Sequence, residues 1–310
     1  DHVAGSPRSA ALAVLTYHRV DYAADTPHLY PGLISASPEQ FGEQLDLISE
    51  MGIVVSMADV LEASRVNDAL PLNSILITFD DASRDFATYA WPALQERNMP
   101  ATLFVPTAYP DASERRFWWD RLHLAIWHGA GSSIRCSCGE FQLQTDEERT
   151  RAYKTLRDHV KQIPHELAMQ LVDEICSRQA AAEPPSNVLG WDELRSLARQ
   201  GVTHAPHAQT HPLMTRDPLE EARREIVGSY QDLKREIGDA PPVFAYPGGA
   251  TNPELDDLLK DAGFELAFSV QRGVNLLGAD NPLHLKRINV GQSTSPQILR
   301  AQLMADRWKY

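Results

Sequence analysis

The run Ile75-Leu76-Ile77-Thr78-Phe79 lies between Asn73-Ser74 and Asp80-Asp81, and it constrains the fold more than any other feature of the chain. Its Ile, Leu and Phe residues, bounded by polar ones, read as a buried strand. Short strand-like runs and helical patterns alternate on either side. A strand over 11–17 precedes a helix that opens at Ser37-Pro38-Glu39-Gln40, with a capping box and Pro in first position, and ends at Gly52. A strand over 53–55, a helix over 58–64, a helix over 85–98 and a strand over 101–105 follow. This rhythm argues for a parallel sheet or barrel in the α/β class.

Between Pro106 and Asn187 the rhythm breaks. Helical stretches near 119–127 and over 146–178 flank a hairpin pattern around Cys136 and Cys138, and Glu183-Pro184-Pro185 closes the segment. One domain over 11–310 with a mainly helical insertion at about 107–187 is the organisation expected. The alternation then resumes, with helices over 191–200, 218–237 and 253–262 and strands over 201–205, 243–246, 265–268 and 283–288. Ser295-Pro296 starts a terminal helix.

Two carboxylates, Asp80 and Asp81, thus stand just past a strand end, at the mouth of a sheet or barrel. Far downstream, His207 and His211 are four residues apart, a spacing that puts two imidazoles on one face of a helical turn. Taken singly, paired Asp residues often cap a helix, and two histidines at this spacing are often only solvated. Together, two His and one carboxylate with a position left for water make a catalytic metal site, and the second Asp becomes a general base. Pro247-Gly248-Gly249 also follows a strand-like run, and the rim at the strands' C-terminal ends is where a barrel builds its active site.

Composition narrows the partners. A formal charge of −13, from 29 basic against 42 acidic residues, argues against nucleic acid or an anionic membrane surface. No apolar run approaches the ~18 residues of a spanning helix. The three cysteines make no disulfide framework, and Cys136 and Cys138 read as small buried hydrophobes. A reducing, cytoplasmic location is expected, with export behind a removed signal peptide as the alternative.

Four segments occur in order: Leu15-Thr16-Tyr17-His18-Arg19-Val20, Ile77-Thr78-Phe79-Asp80-Asp81, His207-Ala208-Gln209-Thr210-His211-Pro212 and Phe244-Ala245-Tyr246-Pro247-Gly248-Gly249. Together they resemble the polysaccharide deacetylase (NodB-homology) family, carbohydrate esterase family four. The resemblance implies a distorted, incomplete (β/α)7 barrel that removes acetyl from N-acetylated sugars. By motif, Asp80 is the general base, and Asp81, His207 and His211 bind one divalent metal. Zinc is the default, while iron, cobalt or nickel suit the same donors. Gly248 would offer a backbone N–H to the oxyanion, with Tyr246 and Pro247 beside it in the substrate-binding turn.

Four departures from the family pattern stand out. Ala82 replaces the usual Gly after the Asp pair, and Ala tolerates positive φ poorly. Ser83 replaces a common aromatic, and Ala245 stands where an Arg often orients the base. Arg287 is a candidate to approach Asp80 instead, with packing as its other reading. The family's late Leu-x-His motif has no clean match, so His18 is the preferred acid and His284 the fallback. Trp119, in Trp118-Trp119-Asp120, is a candidate sugar platform or a packing residue. The reading is therefore a metal-dependent N-deacetylase of an amino sugar in a glycan or glycolipid precursor. Its rivals are a degenerate barrel that binds a glycan without turnover and an amidohydrolase for another N-acyl group.

Overall fold

A computed structural model describes residues 11–66 and 70–307. The strand Ser74–Phe79 is buried at all six positions. It pairs in parallel with Ala11–Tyr17 on one side and Thr102–Val105 on the other. Thr203–Pro206 extends the sheet beyond Thr102–Val105, in the register Thr102↔Thr203 to Val105↔Pro206. On the opposite edge, Ile288–Asn289 pairs in parallel with Ala11–Tyr17. Val243–Ala245 and Leu266–Phe268 form a separate parallel pair, linked onward by a bridge from Phe268 to Leu285.

Side chains alternate across a strand, and the alternation defines an inside. Leu12, Val14, Leu76, Phe104, Ala205, Val243, Ala245, Leu266, Phe268 and Leu285 pack into one buried cluster. The intervening residues, such as Leu15, Tyr17, Ile77 and Phe79, face outward into a second cluster under the helices. The strands therefore wrap a common interior. Among the described residues no ladder joins Thr203–Pro206 to Val243–Ala245. The result is an α/β fold in which a parallel sheet curls around a core without closing.

Several local expectations change. Ser37 caps Pro38–Met51 by accepting from Gln40 N, but the Gln40 side chain donates to Thr294 O instead of completing a capping box. The helix after the Asp pair starts as a π-turn, Phe86–Ala90, before Trp91–Glu96. The helical stretch over 146–178 is two helices, Asp146–Val160 and His165–Arg178, because Pro164 cannot continue a helix. The strand expected over 283–288 is a 3-10 turn, Pro282–His284, followed by the two-residue strand Ile288–Asn289.

The segment over 107–187 shares the outer core. Trp118, Trp119 and Leu122 from the helix Trp118–His128 belong to the same cluster as Leu15 and Phe79, as do Tyr153, Leu171 and Val172. Buried Arg19 binds Asp120 through two hydrogen bonds of 3.2 and 2.7 Å, tying this segment to the end of the first strand. Asp120 also accepts from Tyr30 N at 2.7 Å. Cys136 and Cys138 are half-buried on the hairpin Ser133–Cys136/Gly139–Gln142, with sulfurs 2.9 Å apart, so they are not the fully buried hydrophobes expected. A two-stranded ribbon is too thin to cover both faces. No helix among the described residues is long and apolar enough to cross a membrane.

Candidate active site

Following the inward alternation to the C-terminal ends of the strands leads to His18, Asp80, His207 and Arg287. Asp81 would face outward if the strand simply continued. It joins the rim because its φ is +73° and that of Ala82 is +51°. Left-handed backbone costs an L-residue roughly 1–2 kcal/mol, so the surroundings must hold it. Leu189 N donates to Ala82 O at 2.9 Å and Arg84 N to Asn187 O at 2.8 Å. The position usually held by Gly thus keeps a glycine-like backbone.

His207 and His211 are not on a helical turn, as their spacing suggested. The segment between the strand Thr203–Pro206 and Pro212 is an irregular loop with φ of +59° at Ala208 and +60° at His211. Glu225, on the helix Leu219–Glu236, holds it by accepting from the backbone N–H groups of Gln209 and Thr210 at 2.7 and 2.8 Å. Asp232 of the same helix accepts from Gln209 Nε2 at 2.8 Å. Neither residue carries a sequence signal, since each reads as an ordinary exposed-face acid of an amphipathic helix.

The loop brings His211 Nε2 to 3.4 Å and His207 Nε2 to 3.7 Å from Asp81 Oδ1. The candidate ligand atoms of Asp81, His207 and His211 all lie within 4.8 Å of one another. His207 donates its Nδ1 proton to Ala245 O at 2.8 Å, which leaves the Nε2 lone pair facing the carboxylate. Burial pushes His207 down to about 4 and His211 down to about 3, against the pull of the Asp80 charge, so both imidazoles are neutral at ordinary pH. Asp81 Oδ1 is buried and has no hydrogen-bond partner. Three acceptor atoms converging without a proton between them fit a cation. Nitrogen and oxygen donors suit zinc, and equally iron, cobalt or nickel.

Asp80 is held separately. Arg287 Nη1 donates to its Oδ1 at 2.9 Å, and Arg287 Nε donates to Ser269 O at 2.7 Å. Arg287 is 2% exposed, so this guanidinium sits inside the barrel mouth where Ala245 offers none. Burial alone would raise the Asp80 carboxyl. The charges of Arg287, His207 and His18 outweigh it and bring Asp80 down to about 2.

Asp85, one turn further on, is perturbed the other way. Burial lifts it to about 6, although Val20 N donates to its Oδ2 at 2.7 Å. Its folded pKa lies above the unfolded value of 3.8, so its contribution to stability falls as pH rises through that window. Asp85→Asn should therefore stabilise the protein at pH 7 by about 2–3 kcal/mol, with no gain near pH 4. Denaturant melts of both proteins across this range check it, and equal pH slopes would refute it.

The rim opens into a cavity of about 840 Å³, its open mouth included. His18, Asp80, Asp81, His207, His211, Gly248 and Arg287 all line it. Gly248 has φ of +62°, and a Cβ there would run into Leu213. Tyr246 does not reach the cavity, because it falls on the outward-facing parity with Phe244. Its ring is buried in the outer cluster and its hydroxyl donates to Asp256 Oδ1 at 3.1 Å. Pro247 is buried and shapes the turn. Trp119 lines the cavity as packing, stacked on Phe117 at 4.3 Å and edge-on to His211 at 5.0 Å. His284 is bound to Asp256 at 2.8 Å and lies outside the cavity lining. His165, which no pattern in the sequence separates from the other histidines of its segment, does line it.

The chain is 22% identical over 269 residues to the poly-beta-1,6-N-acetyl-D-glucosamine N-deacetylase of Escherichia coli strain K12. That match covers 86% of this chain but 35% of that protein. Among solved structures, the deacetylase PplD of Streptococcus pyogenes, in complex with acetate, superposes with a TM-score of 0.66 at 17% identity, over 96% of this chain and 99% of that one. IcaB from Ammonifex degensii superposes with a TM-score of 0.63 at 19% identity, over 95% of this chain and 97% of that one. At such identities the structural likeness speaks for the fold alone. The sequence model of polysaccharide deacetylases matches residues 67–267, well over half of the 310-residue chain, and the chain belongs to the polysaccharide deacetylase family.

Proposed function

We propose that the chain is a metal-dependent N-deacetylase of an N-acetylated amino sugar, in a glycan or a glycolipid precursor. The observation that carries this is Asp81 Oδ1, buried without a partner and facing two imidazole nitrogens. Asp81, His207 and His211 would hold a divalent ion there, and when bound it would supply Lewis acidity.

The chain's own residues do the rest. Asp80 is ionised at neutral pH and accepts the proton that the attacking water gives up. Arg287 orients its carboxylate. The backbone N–H of Gly248, which lines the cavity, is the candidate donor to the oxygen that becomes negative as water adds to the carbonyl carbon. His18 gives a proton to the amine nitrogen as the C–N bond breaks, so acetate and a free amine leave. His18 is half-buried, and its backbone N–H is fixed by Ser35 Oγ at 2.9 Å.

The non-catalytic rival rested on Ala82, Ser83 and Ala245. The left-handed backbone of Ala82 and the placement of Arg287 weaken that support. Elemental analysis of the purified protein, together with acetate release from N-acetylglucosamine oligomers, tests the reading. Metal without turnover across a panel of N-acetyl sugars would favour the binding barrel. His18→Gln should retain metal and fold while kcat falls by ~10²-fold or more, with the alkaline limb of the pH–rate profile altered. A near-normal kcat would move the proton donor to His165, the other cavity-lining histidine outside the metal set.

A further inference from the structure

Beside the rings of Tyr30, Trp118 and Tyr153, the cavity beyond the catalytic rim has an aliphatic wall. Leu33, Val160, Ile163, Ala168, Met169 and Leu213 line it, and four of them come from the helices Asp146–Val160 and His165–Arg178 and the turn between them. An aliphatic wall has no partner for a hydroxyl, and burying an unpaired one costs roughly 1–3 kcal/mol. The charges beside this wall are also selective. The chain has 42 acidic residues, yet among the described residues the only acids lining the cavity are Asp80 and Asp81, whereas Arg157 and Lys161 also line it. Arg157 keeps part of its guanidinium engaged with Asp158 at 2.7 Å, and Lys161 is exposed and feels the same carboxylate without a close ion pair to it.

We infer that the substrate is an amphiphile: an N-acetylated amino sugar carried through an anionic linkage on an aliphatic chain. The sugar amide sits at Asp80 and Asp81, the anionic linkage faces Arg157 and Lys161, and the chain runs along Ile163 and Met169. This rests on the deacetylase reading and names its substrate class. Charge complementarity and continuity with the catalytic rim favour this occupant over a polymer segment, which would present hydroxyls to the same wall.

The test uses the metal-loaded protein with methyl, butyl and octyl phosphodiesters of N-acetylglucosamine 1-phosphate. Comparison probes are neutral octyl N-acetylglucosaminide, N-octanoylglucosamine and an N-acetylglucosamine tetramer. Acetate or octanoate release gives kcat/KM. Calorimetry with the corresponding deacetylated phosphodiesters gives Kd on metal-free protein. Each fully buried methylene is worth a factor of about four, so burial of about half of the chain added between methyl and octyl should gain ~10²-fold in both readouts. The octyl phosphodiester should exceed its neutral counterpart by roughly 10-fold at low salt, a margin that Lys161→Gln should reduce. The half-buried Ile163 and Met169, changed together to Gln, should flatten the length dependence.

A flat length series with the tetramer preferred overturns the inference and leaves the deacetylase reading standing. Preference for N-octanoylglucosamine also overturns it, by placing the chain on the acyl side. Length-dependent binding with no release from any probe keeps the amphiphile site and removes the deacetylase reading. Neither binding nor release removes both.

Discussion

Asp80→Asn should keep its metal and lose about 10²–10⁴-fold in kcat, because an amide cannot take the proton of the attacking water. Asp81→Asn should lose activity by a different route, through weaker metal binding. The two carboxylates are neighbours in sequence but not in environment. Asp80 Oδ1 is engaged by Arg287 at 2.9 Å, whereas Asp81 Oδ1 is the unpartnered atom between the imidazoles. In Asp80→Asn the side-chain amide oxygen can still accept from Arg287, so the fold should survive. Metal content and kcat measured on both variants decide the matter, and loss of metal from Asp80→Asn with retention in Asp81→Asn would reverse the roles.

Arg287→Ala should be among the most destabilising replacements at the rim. Its side chain is 1% exposed and that of Asp80 4%, and removing one partner of such a pair costs ~3–5 kcal/mol. The variant should also change the sign of a pH dependence. In the native protein Asp80 lies below its unfolded value of 3.8, so it contributes stability above pH 4 that is lost as pH falls toward 2. Without the guanidinium, burial loses its largest counterweight and the carboxyl should rise, which we expect to carry it past 3.8. Stability should then decline as pH rises past 4, where this group leaves the native protein's stability level. Urea midpoints of metal-free protein at several pH values check both effects. A loss under ~1 kcal/mol with an unchanged slope would mean that Arg287 is packing alone.

Much of the site was legible because strand parity is simple. Counting by twos from Leu12, Leu76 and Ala205 reaches His18, Asp80 and His207, and the same count sends Phe244 and Tyr246 outward. Tyr246 as a substrate residue could thus have been rejected from the sequence. The curled parallel sheet followed from the alternation of apolar runs and helical patterns. Other features were not legible for physical reasons. A His-x-x-x-His spacing fits a helix, and only the left-handed Ala208 and His211 reveal a loop instead. The retention of left-handed backbone at Ala82 depends on bonds from residues more than a hundred positions away. Glu225 acts through backbone N–H groups, which leave no side-chain pattern to match. Arg287 was visible only as a charge in an apolar context, and its partner depended on how the last strand docks.

The gap between Thr203–Pro206 and Val243–Ala245 has a further consequence. No backbone ladder crosses it among the described residues, and the bond from the His207 imidazole to Ala245 O spans it instead. A candidate metal ligand is therefore also a staple across the seam of the barrel. If the proposed ion binds, opening the seam and releasing the ion should be linked equilibria, since fixing the His207 ring would also keep the two sheet edges together. Backbone amides of 243–245 and 266–268 should then exchange with solvent at a rate set by metal concentration, even though none of them touches the metal. Metal loading at the mouth should therefore slow the breathing of the wall.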